Sequence, residues 1–118
     1  MARKDDCIFC KIVAGDIPSD VVYEDDRVIA FRDVNPMMPT HVLVIPKEHY
    51  DNIADGVSDE DMVAVMRAVG EVARIEGICE SGFRMLSNTN DDARQSVHHL
   101  HVHVLGGAPM NDGDPSIQ

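Results

Sequence analysis

Apolar positions recur along this chain with two different periods. After Ser58, the residues Met62, Val65, Met66, Val69, Val72 and Ala73 follow steps of three and four, which places them on one helical stripe facing a core. Ser58 followed by Asp59, Glu60 and Asp61 supplies an N-terminal cap and negative charge at the positive end of the helix dipole, and Gly77 supplies a stop. Cys79, just beyond, reads as a small buried residue. Elsewhere the period is two. Residues 21–24 and 27–33 alternate around Glu24-Asp25-Asp26 and predict an antiparallel hairpin. The run His41-Val-Leu-Val-Ile-Pro46 is almost continuously apolar, the pattern of a strand buried on both faces at the centre of a sheet. Residues 83–87 and 95–105 predict two further strands, joined by a polar loop over 88–94. Near the start, Ile8, Phe9, Ile12 and Val13 predict a short helix or turn that ends at Gly15 and the Ile17-Pro18 step.

This order is α+β: a five-stranded antiparallel sheet with one long helix on a face and a short N-terminal helix. At 118 residues the chain reads as a single domain over 1–118, with an irregular tail from about residue 106. Ten basic residues against twenty-one acidic ones give a net charge of −11. Such a balance disfavours nucleic acid polymers and anionic membranes as partners, while a small nucleotide held by local donors stays compatible with it. The polar start is neither a secretory signal nor an anchor, and no segment is long enough to span a membrane. Three cysteines, two of them as Cys7-x-x-Cys10, suit a reducing interior, so a cytoplasmic protein is expected.

The chemistry is concentrated in residues 95–107, Gln-Ser-Val-His-His-Leu-His-Val-His-Val-Leu-Gly-Gly. Side chains of a strand switch faces at every residue, so His99, His101 and His103 share one face and His98 lies on the other. Neighbours in that row sit about 7 Å apart at the backbone, within reach of one phosphate. Neutral imidazole is a nucleophile near pH 7, and a neighbouring imidazole can donate a proton or a hydrogen bond. A row of this kind suits displacement at phosphorus, with one histidine attacking and others holding the equatorial oxygens. A zinc site is the competing reading of the same row.

With these residues in place the sequence resembles the histidine triad (HIT) family. The resemblance rests on His99-x-His101-x-His103 followed by Val104 and Leu105, on Cys-Ile-Phe-Cys-Lys-Ile near the start, on Ala30-Phe31-Arg32-Asp33-Val34-Asn35-Pro36, on Thr40-His41-Val-Leu-Val-Ile-Pro-Lys, and on Gln95-Ser96-Val97. The Leu105-Gly106-Gly107 ending is similar to the Hint branch of nucleoside phosphoramidases and monophosphate hydrolases, more than to the dinucleoside polyphosphate hydrolases. The resemblance implies that His101 is the nucleophile of a nucleotidyl-histidine intermediate on a purine nucleotide resembling AMP or GMP. It implies that His103 holds a phosphate oxygen, that His99 and His41 orient the nucleophile, and that Asp33 accepts from the ribose hydroxyls. Ile8, Phe9, Ile12, Phe31 and Val34 wall the base pocket in such proteins, and Asn88 with the Gln95-Ser96 segment holds phosphate. A homodimer with a continuous ten-stranded sheet is implied as well.

Two departures stand out. Arg94 replaces the glycine usual before Gln-Ser, which predicts altered substrate preference rather than inactivity, and the tail lacks the tryptophan and double proline common in the branch. The two-residue spacing of Cys7 and Cys10 lets both thiolates clip one metal ion. Related prokaryotic members complete such a site with the equivalents of His49 and His99, which implies a closed, structural zinc and leaves His101 and His103 free. The alternatives are a dinucleoside polyphosphate hydrolase and a non-catalytic nucleotide-sensing dimer. A thioredoxin-like redox role ranks lowest, because the pair does not sit in a βαβ context.

Overall fold

The computed structural model describes residues 4–111. Its elements are helix α1 (Ile8–Val13), strands β1 (Val21–Glu24), β2 (Val28–Arg32) and β3 (Thr40–Pro46), helix α2 (Asp59–Ile75), strand β4 (Phe83–Leu86), a short 3-10 turn (Asp91–Ala93) and strand β5 (Val102–Gly106). The five strands form one antiparallel sheet in the order β1-β2-β3-β5-β4. The fully buried β3 lies at its centre, as its unbroken apolar pattern predicts.

Alternation along the strands sorts the interior into two layers. Val28, Ala30, Val42, Val44, Val102 and Val104 point to the face covered by α2, where they meet Val65, Val69 and Val72. Ile29, Phe31, Leu43 and Ile45 point the other way, toward Phe9, Cys7 and Cys10 of the N-terminal segment. Each layer removes apolar surface from water at roughly 25 cal/mol per Å², so α1, too short to persist alone, is held by what it covers.

Helix α2 begins as expected, with the Ser58 hydroxyl accepting from the Asp61 amide at 3.1 Å. Its buried line includes Ala68 and Asp61 in place of Met66, which is 39% exposed. Asp61 is tolerated inside because Tyr50 Oη donates to it at 2.6 Å and Arg27 at 3.0 Å. Cys79 is exposed, contrary to expectation. The turn at Gly77 (φ +72°) carries the chain inward at Ile78 and out again at Cys79.

The histidine segment also departs from its predicted form. Strand β5 starts only at Val102, and residues 95–101 are irregular. Pairing with β3 ends at Val44↔Val102, close to Pro46, whose carbonyl accepts from the His99 ring instead of from a strand amide. The Leu100 amide turns to the Tyr50 carbonyl at 2.7 Å. Of the predicted tail, Gly106 belongs to β5, and residues 112–118 lie outside the described region. The two glycines of Leu105-Gly106-Gly107 have separate reasons. A Cβ on Gly106 would stand 2.9 Å from Ile78, and Gly107 has φ +91° with Pro39 2.9 Å from where its Cβ would be.

Candidate active site and metal cluster

On the face opposite α2 a cavity of about 580 Å³ opens between α1, β2 and the segment before β5. Ile8, Phe9 and Ile12 from α1, with Phe31, Val34 and Leu43, form its apolar walls. Phe9 is central: its ring lies 5.5 Å from Phe31, 6.0 Å from His99 and 5.3 Å from His101, in edge contacts. Asp33, Ser96, His101 and His103 supply polar lining. Leu43 and Val97 were not singled out from sequence. Leu43 was legible, because it alternates with Val42 and Val44 and pairs with both Phe31 and His103.

The chain's own hydrogen bonds assign the tautomers of the histidines. His101 Nδ1 lies 2.8 Å from the His99 carbonyl, which can only accept. Nδ1 therefore carries the proton, and Nε2 presents a lone pair. His41 Nδ1 accepts from the Met37 amide at 3.0 Å, so its Nε2 carries a proton, 2.9 Å from His103 Nδ1. His103 is thereby left with its proton on Nε2, a buried donor without a partner among the described residues. Asp33 Oδ2 stands 3.4 Å from His41 Nε2 and supports the same orientation. Donor atoms of Asp33, His41 and His103 fall within 4.8 Å of one another, but the Met37 amide occupies the His41 nitrogen that would otherwise hold its proton. The trio is a hydrogen-bond relay in preference to a ligand set.

Burial keeps this group neutral. It lowers His101, His41 and His103, the last to about 3, with the neighbouring His101 and His41 acting in the same direction on His103. At pH 7 the arrangement is therefore a neutral nucleophilic nitrogen beside a neutral N–H donor. Their ring centroids are 5.1 Å apart. His98 is exposed and takes no part.

Asn88 does not line the cavity, yet its Nδ2 is the other buried side-chain nitrogen without a partner among the described residues. The neighbouring Ser87 hydroxyl donates to the His101 carbonyl at 2.7 Å. Gln95 is placed differently from Ser96: its side chain turns into the protein and, among the described residues, bonds to backbone groups alone.

The second constellation is Cys7, Cys10, His49 and His99, whose donor atoms lie within 4.8 Å of one another. His99 Nε2 donates to the Pro46 carbonyl at 2.9 Å and His49 Nε2 to Asp51 at 2.8 Å. Both Nδ1 lone pairs are thus directed at the sulfurs, at 3.4 and 3.5 Å for His99 and 3.2 Å for His49. Zinc bonds of about 2.3 Å to sulfur and about 2.0–2.1 Å to nitrogen put these atoms about 3.5 Å apart in a tetrahedron. The four residues fit zinc, complete with the carboxylate and carbonyl that orient its imidazoles.

Known proteins match this chain over most of its length. The HIT domain family matches residues 14–110. Purine nucleoside phosphoramidase of Escherichia coli (strain K12) is 46% identical over 109 residues, covering 90% of this chain and 91% of that one. Protein HitA of Neisseria gonorrhoeae is 42% identical over 104 residues, covering 86% and 96%. Among solved structures, a histidine triad protein from Clostridium difficile superposes with a TM-score of 0.89 at 43% identity, covering 96% of this chain and all (100%) of that one.

Proposed function

We propose, for a chain that belongs to the HIT domain family, that it hydrolyses purine nucleoside 5′-phosphoramidates or related nucleoside monophosphate derivatives. The observation that carries this reading is the fixed pair in the cavity: a lone pair on His101 Nε2 beside an N–H on His103 Nε2 that has no partner among the described residues. His101 attacks the α-phosphorus, the bond from phosphorus to the leaving nitrogen breaks, and the amine departs with a proton taken from solvent. Water then attacks the nucleotidyl-histidine and gives a proton back to solvent, the bond to His101 breaks with its electron pair returning to Nε2, and the nucleoside monophosphate leaves. The His103 N–H faces a nonbridging oxygen whose charge grows in each transition state, and His41 fixes that donor's direction. The Ser96 segment lines the cavity and holds the remaining phosphate oxygens, and Asn88 Nδ2, a donor outside that lining and unpartnered among the described residues, turns to join it on binding. Asp33 accepts from the ribose, and the purine lies between Ile8, Phe9, Ile12, Phe31 and Val34.

The test is turnover of adenosine 5′-phosphoramidate by the wild type and by His101→Asn. The expected outcome is loss of several orders of magnitude in kcat with AMP binding retained; comparable turnover by the variant would remove His101 from the chemistry.

Cys7, Cys10, His49 and His99 hold structural zinc in this reading, and the ion's contribution is to cross-link α1, the segment after β3 and the segment before β5. Reduced thiols suit the cytoplasm. Dimerisation uses the open edge of β4. Helix α2 packs mainly on β1, β2, β3 and β5, leaving Phe83 and Met85 of β4 exposed at 38% and 49%. Met62 and Met66 run at four-residue spacing along α2, on the flank away from Ala64 and Tyr23. An edge strand with such apolar cover pairs with its own copy and joins two sheets into one of about ten strands.

A further inference from the structure

Between the metal cluster and the catalytic cavity lies a short stretch, His49-Tyr50-Asp51, in which each residue is tied to something different. His49 Nδ1 faces Cys10 Sγ at 3.2 Å, and its other nitrogen is held by the Asp51 carboxylate. The Tyr50 carbonyl accepts from the Leu100 amide, between His99 and His101. The Asp51 carbonyl accepts from Gln95 Nε2 at 2.6 Å. Gln95 is 8% exposed and uses both ends of its amide. Nε2 also donates to the Val97 carbonyl at 3.0 Å, and Oε1 accepts from the Asn90 amide at 2.9 Å.

The loop so held is strained. Asn90 has φ 61° and ψ −167°, a region that belongs to glycine, and Arg94 is left-handed at φ 57°. Gln95 bonds to Asn90 at one end of this loop and to Val97 at the other, and Ser96 and Val97 line the cavity. A second route joins the two sites through His99, whose ring belongs to the metal cluster and whose carbonyl fixes the proton on His101. Backbone that one site orders is therefore backbone that the other needs ordered.

We infer that Gln95 is a positioning residue that couples the metal cluster to the phosphate-holding loop, so that metal and nucleotide each tighten the other's binding. The inference rests on the nucleotide reading given above. Coupling between sites is reciprocal: whatever factor zinc applies to nucleotide affinity, nucleotide applies to zinc affinity. Ordering entropy is the physical source, since the first ligand to bind restrains residues 49–51 and 88–97 and leaves less for the second to restrain.

The experiment measures zinc affinity by competition with a chromophoric chelator, without AMP and with saturating AMP, for the wild type and for Gln95→Met. Methionine keeps the length of the side chain and removes its donors and acceptor. AMP binding is followed by calorimetry, and the fold of each form by circular dichroism. In the wild type, AMP is expected to tighten zinc by roughly 5- to 150-fold, the usual span for coupled sites, and zinc to tighten AMP by the same factor. In Gln95→Met both ligands still bind and the factor falls by at least several-fold. Equal zinc affinity with and without bound AMP overturns the coupling alone. An undiminished factor in a folded Gln95→Met protein overturns the role of Gln95. Should Gln95→Met fail to fold, the wild-type factor decides the coupling, and Gln95→Glu, which keeps only the acceptor toward Asn90, decides the residue by the same criterion. A chain that binds no AMP in either form overturns the nucleotide reading and this inference with it, and one that binds no zinc overturns the coupling at its source.

Discussion

Arg94 illustrates how a residue can be conspicuous in sequence for one reason and explained in structure by another. A glycine at this place suggests room for a ligand to approach the backbone; the structure instead shows a left-handed residue with φ 57° and ψ 46°, and an exposed side chain that does not line the cavity. A left-handed non-glycine residue costs about 1 kcal/mol, offset in part by the chain entropy that glycine loses on folding. Arg94→Gly is expected to raise the unfolding free energy by about 0.5–1 kcal/mol, read from urea denaturation. The histidines give a second prediction at this scale. His103 is held at about 3 in the folded state by burial, against about 6.5 unfolded. Below pH 6.5 the unfolded chain takes a proton there that the folded chain refuses. Stability is thus complete above pH 6.5 and declines as pH falls toward 3, by up to about 1.4 kcal/mol per pH unit for this one group. Unfolding curves between pH 7 and 5, compared with those of His103→Gln, measure that slope, and a variant with the wild-type slope would contradict it.

At the scale of elements, α2 was the most legible part of the chain, because its cap, apolar period and stop all act locally. Ser58→Ala removes the acceptor for the Asp61 amide and is expected to cost about 1 kcal/mol, seen as a lower midpoint in thermal unfolding. Its buried face was only partly legible. Asp61 is inside and Met66 half outside because Tyr50 and Arg27 reach the former, while the sheet below the latter ends at an uncovered edge strand. The segment before β5 misled for a related reason. Alternation of histidines with apolar residues predicts strand, yet a strand needs a partner, and β3 has none to offer beyond Pro46. The histidines still converge, through an imidazole bonded to Pro46 and another bonded to the His99 carbonyl, rather than through a common pleat.

For the whole molecule, the sheet puts the Cys/His cluster and the histidine-lined cavity on one face and α2 on the other, so the proposed assembly through the α2 and β4 side leaves both open. The proposed dimer predicts that Met85→Asp, which places a charge on that exposed face, sediments as a monomer where the wild type sediments as a dimer; a variant as dimeric as the wild type would move the interface elsewhere. What the sequence determined by itself is whatever depends on near neighbours or on a repeating period: the capped helix, the central strand, the α+β order, and the cluster of histidines with the Cys7-x-x-Cys10 pair. Tertiary structure alone decided which nitrogen of each histidine carries its proton, that Cys7 and Cys10 meet His49 and His99, and that Gln95 serves the backbone. Those facts rest on contacts between residues up to 92 positions apart, such as Cys7 with His99, and on single hydrogen bonds to particular carbonyls and amides. No local pattern encodes them, because a carbonyl's identity as a partner exists only once the chain has folded around it.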